Sequence, residues 1–90
     1  MNFTFKMSTK EKLIERFKNQ PKDFTWEELV RLLNLLGFTT DNKGRTSGSR
    51  VLFENRDDVF TIHKPHPKNI IKTYLMKQVL IFLIENNYLK

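Results

Sequence analysis

Arg50-Val51-Leu52-Phe53-Glu54 and Val59-Phe60-Thr61-Ile62-His63, separated by Asn55-Arg56-Asp57-Asp58, are two alternating runs around a polar turn. Alternation of apolar and polar residues marks a strand with one covered face. Two such runs joined by a short polar stretch make a hairpin. With a four-residue loop, Glu54 faces Val59, Phe53 faces Phe60, Leu52 faces Thr61, Val51 faces Ile62 and Arg50 faces His63. Val51, Phe53, Phe60 and Ile62 then share one apolar face. Arg50, Leu52, Glu54, Thr61 and His63 share the other. A slip of one residue would set polar groups against the apolar set, so the pattern supports this register. It makes Arg50 and His63 cross-strand neighbours on the open face, with Cβ atoms about 5 Å apart.

Outward from the hairpin the period changes. Toward the N-terminus, Asn42-Lys43-Gly44 and Ser47-Gly48-Ser49 are turn chemistry, and Phe38-Thr39-Thr40-Asp41 is a short strand. Before it, Thr25-Trp26-Glu27-Glu28 is a capping box. Trp26, Leu29, Val30, Leu32, Leu33 and Leu36 follow at helical spacing, and Gly37 ends that helix in a left-handed conformation. A second capping box, Ser8-Thr9-Lys10-Glu11, predicts a first helix over 9–19, stopped by Pro21. Toward the C-terminus, Pro65 and Pro67 end the return strand. A connection over 68–72 leads to a last helix over about 73–86. The order helix, helix, three strands, helix predicts an α+β fold of two layers. A three-stranded antiparallel sheet is covered on one face by helices.

Ninety residues, 39% of them hydrophobic and eight of them Phe, make one packed domain, 1–90. There is no cysteine, which excludes disulfides and Cys-based zinc sites and fits a reducing compartment. The first seven residues are too short and polar for a signal peptide. The longest apolar run, 79–84, is far below a membrane span. These features predict a soluble, cytoplasmic protein with no membrane partner.

The formal net charge is +6, which suits a polyanionic partner. Lys43, Arg45 and Arg50 lie in an acid-free stretch, as do Lys64, Lys68, Lys72 and Lys77. The only two histidines, His63 and His66, stand in the second of these. Metal-free cleavage of RNA needs three things. A base takes the 2′-hydroxyl proton, an acid serves the leaving oxygen, and a cation stabilises the phosphorane. Histidine can be either acid or base near neutral pH, and arginine offers phosphate a planar fork. A metal site is the weaker expectation, because His63 and His66 have no third protein ligand nearby in sequence. Gly44 and Gly48 mark a loop with Thr46, Ser47 and Ser49 whose amides could hold a phosphate.

The run Trp26-x-x-Leu29-Val30-x-Leu32-Leu33-x-x-Leu36-Gly37-Phe38, then Lys43-Gly44-x-x-Ser47-Gly48-Ser49, then the hairpin with Pro65-His66 and a final helix, resembles the HicA toxin family. The resemblance covers roughly 24–89, a HicA-like core, and leaves an extra N-terminal helix within 1–22. It implies a double-stranded-RNA-binding-like fold and the activity of an mRNA interferase, an endoribonuclease of a bacterial toxin–antitoxin pair. A HicB-type antitoxin would be its neutralising partner, and no cofactor is implied. The family's Gly-Ser-His motif stands here as Gly48-Ser49-Arg50. One reading is that His63, across the ladder from Arg50, returns the imidazole to the same place. The alternative is a non-catalytic RNA-binding or partner-binding module on the same scaffold. On the first reading the catalytic set is His63, Arg50 and His66. The RNA-binding set is Lys43, Arg45, Ser47, Ser49, Lys64, Lys68, Lys72 and Lys77. The last helix is apolar nearly all round, so it needs cover from the first helix through Leu13, Ile14 and Phe17, or else offers a surface for self-association or an antitoxin.

Overall fold

Two aromatic contacts join the helices to one face of the sheet, and Phe38 packs beside them. A computed structural model describes residues 8–41 and 50–90. Its elements are α1 (Thr9–Lys18), α2 (Trp26–Leu35), β1 (Thr39–Asp41), β2 (Arg50–Asn55), β3 (Asp58–His63) and α3 (Thr73–Glu85). The sheet is antiparallel in the order β1-β2-β3. Trp26 of α2 meets the Phe53 ring edge-on at 5.9 Å. Phe82 of α3 lies 4.6 Å from Phe60. Phe38, just before β1, packs against Phe60, Phe82 and Tyr88. The fold is therefore the expected α+β arrangement, with helices on one face of a three-stranded sheet.

Both capping boxes form. The Ser8 and Thr25 side chains accept from the N–H of Glu11 and Glu28, and each glutamate accepts from its cap's N–H in return. Gly37 takes φ +101° beyond α2, where a Cβ would be strained and would come within 2.7 Å of Asn55 Nδ2. The hairpin register is the one the alternation requires, from Glu54↔Val59 to Arg50↔His63. One detail differs. Asn55 pairs with Asp58, so the loop is two residues, Arg56-Asp57, and not four. Arg56 adopts φ +58°, the left-handed start that lets so tight a turn close. The faces are unchanged, because shortening the loop by a pair keeps the register.

α1 packs against both α2 and α3, and Phe17 is fully buried. Leu13 and Ile14 pack at the margin of the core. α1 therefore supplies cover for α3, as expected, but not all of it, since Ile81 and Ile84 stay exposed. Arg16 holds the helices together. Its guanidinium donates to Glu28 at 2.8 and 3.2 Å and to Asp23 Oδ1 at 3.1 Å, and lies over the Phe24 ring.

The Arg16 hydrogen bond holds the Glu28 carboxyl below the usual carboxylate range. As pH falls, the unfolded chain therefore takes up this proton first. The stabilisation is complete above about pH 5 and is lost as pH drops through the lower, folded-state value. Thermal melts between about pH 6 and 3 should show wild type losing stability more steeply than Glu28→Gln. Parallel curves for the two would contradict this role.

Candidate active site at the open end of the hairpin

The register that builds the core also ends both hairpin strands at the same place. Arg50 begins β2, His63 ends β3, and the two are direct partners. Both side chains are exposed, on the face away from Phe53 and Ile62. Beyond His63 the chain turns off the ladder at Pro65. It is caught again by a single antiparallel bridge, Thr25↔Ile70. Trp26 N–H donates to Asn69 O at 2.9 Å, and Ile71 N–H donates to Phe24 O at 2.8 Å. The Asn69 amide also donates to the Glu27 carboxylate. Ile71 is buried. This clamp fixes the far end of the loop that carries His66, and it aims the start of α3 back toward the hairpin.

The result is a cleft of about 390 Å³ whose wall includes His63, Lys64, His66, Lys72, Tyr74 and Gln78. An adjoining cleft of about 550 Å³ shares His66, Lys72 and Tyr74 with it and adds Lys22 and Lys68. Neither wall contains a carboxylate, so the cations there are not neutralised locally and the field favours an anion. Such a cleft can bind a phosphodiester backbone and present two imidazoles to it.

Of the expected site residues, Arg50 and His63 are paired in register. His63, His66, Lys64 and Lys72 share the first cleft, and Lys68 lies in the second. Arg50 on β2 and Lys77 on α3 are exposed and line neither cleft. Lys43, Arg45, Ser47 and Ser49, with the Gly44 to Gly48 loop, lie outside the described residues. Tyr74, Gln78 and Lys22 were not expected. Their spacing from Lys72 and Lys18 carries no motif, although Tyr74 and Gln78 are i and i+4 on one helix face. Among the described residues, no three His, Asp or Glu side chains cluster as metal ligands do, and no helix is long and apolar enough to cross a membrane.

No curated protein and no solved structure gives a significant match. The family model of the HicA toxin of bacterial toxin–antitoxin systems matches residues 26–83, more than half of the chain. That span runs from the first residue of α2 nearly to the end of α3 and takes in the hairpin, both histidines and both clefts except for Lys22. With the expected order of elements and the expected register around it, this match establishes that the chain belongs to the HicA toxin family.

Proposed function

We propose that the protein is an endoribonuclease, the mRNA interferase of a toxin–antitoxin pair, which cuts RNA in the cytoplasm without metal and is neutralised by a HicB-type antitoxin. The observation that carries this reading is the Arg50–His63 pair at the exposed end of the hairpin. His63 accepts the 2′-hydroxyl proton as that oxygen attacks phosphorus. The P–O5′ bond breaks, and His66 gives its proton to the departing oxygen. Arg50 holds the phosphate and stabilises the charge that builds on the phosphorane. Lys64, Lys68 and Lys72 hold the neighbouring backbone, with Lys43, Arg45, Ser47, Ser49 and Lys77 as further contacts. The products are a 2′,3′-cyclic phosphate and a 5′-hydroxyl.

The test is incubation of purified protein with RNA in EDTA, free and on ribosomes, with the product ends analysed. Fragments ending in cyclic phosphate support the reading, and intact RNA in both settings overturns it. A second reading has one observation in its favour, the Arg50 that follows Gly48-Ser49 where the family motif has histidine. It is a module that binds RNA or a partner without cutting. Either RNA-binding reading predicts salt-sensitive affinity. With about three or four phosphate contacts, log Kd against log salt should have a slope of magnitude roughly 2–4. A flat salt dependence would exclude both.

A further inference from the structure

We propose that Tyr74 forms a stacking platform for one unpaired nucleobase beside the scissile phosphate, which makes single-stranded RNA the substrate class of this site. The inference rests on the reading of the cleft as an RNA site, and it goes further by fixing the state of the nucleotide that enters.

Among the described residues, Tyr74 is the most exposed of the large apolar side chains that stand free of the core, at 61%. It sits in the first turn of α3 and lines both clefts, the one with His63 and the one with Lys68 and Lys22. An aromatic face flanked on both sides by unneutralised cations is the arrangement that binds a nucleic acid strand, with the base on the ring and the phosphates on the cations. Gln78, one turn further along the same face, also lines the cleft with His63 and places an amide donor and acceptor beside the ring. A pure phosphate site would have no use for an exposed ring at the junction.

The chemistry gives an independent reason. Attack by the 2′-oxygen requires O2′, phosphorus and O5′ to lie in line. A stacked A-form helix holds the 2′-oxygen off that line. The nucleotide must leave the stack before it can react, at a cost of a few kcal/mol that is least for a base already unpaired. A ring next to the base and acid groups replaces the lost stacking partner.

The test uses the His63→Ala protein, so that binding is read without cleavage. Affinity is measured for a short single-stranded oligoribonucleotide and for the same sequence as a blunt duplex. Adding Tyr74→Ala should weaken single-strand binding by about 10-fold and leave duplex binding within about 2-fold, while Tyr74→Phe retains single-strand affinity. Equal losses on both forms, or none on either, overturn the inference. If wild type fails to cut RNA but the Tyr74 effect is present, the nuclease reading falls and the platform stands. If wild type cuts and Tyr74→Ala changes neither single-strand affinity nor KM, the platform falls alone.

Discussion

Replacing His63 by alanine should lower the metal-free cleavage rate by about 10²–10⁴-fold, the contribution a positioned proton acceptor makes to such a step. The loss should fall on kcat, because the imidazole acts on the proton in transit. RNA affinity should stay within a few-fold, since Arg50, Lys64, Lys68 and Lys72 remain. The fold should be unaffected. His63 is exposed at the end of an edge strand and packs in no core, and exposed substitutions of this kind usually shift stability by less than about 0.5 kcal/mol. An unchanged melting curve with lost cleavage is therefore the expected outcome. A protein that cuts at the wild-type rate without this imidazole would remove His63 from the mechanism.

The second large effect belongs to the other face of the same hairpin. Phe53 is fully buried in the middle of the central strand, with Trp26 at 5.9 Å and Phe60 stacked at 5.5 Å. Phe53→Ala removes the ring and leaves a cavity between helix and sheet, at a cost of about 3–5 kcal/mol. Domains of this size have total stabilities toward the low end of about 5–15 kcal/mol, so the variant should unfold at or near ambient temperature. Thermal melting followed by near-UV circular dichroism would show it. A drop in Tm of only a few degrees would mean that the sheet and helices are not held by this aromatic layer.

These two residues also show how far the sequence could be read. Phe53 and Arg50 fall on opposite faces because a strand alternates strictly, so the covered face and the Arg50↔His63 pair were legible from the pattern. The turn was not. Asn55 and Asp58 have the chemistry of loop residues, yet they pair, and the loop closes on Arg56 with a positive φ that no propensity favours. The helix starts at Ser8 and Thr25 were legible because capping is local. The Thr25↔Ile70 bridge and the Arg16 contacts to Asp23 and Glu28 were not, since each joins single residues without a period to announce it. The same holds for the site. The histidines and lysines were visible as an acid-free run, but Tyr74, Gln78 and Lys22 enter the clefts only because the bridge at Ile70 sets where α3 begins.

The central claim is that an imidazole and a guanidinium, paired across the open end of one hairpin, carry the chemistry. It is tested most directly by one rate comparison in EDTA, among wild type, His63→Ala and the transposed double variant Arg50→His with His63→Arg. Because the two positions are ladder partners, transposition keeps both groups within the same few ångströms. The account predicts that wild type cuts, that His63→Ala cuts about 10²–10⁴-fold more slowly, and that the transposed protein recovers at least about 10-fold over His63→Ala. Wild type leaving RNA intact, or a folded His63→Ala cutting as fast as wild type, would contradict it.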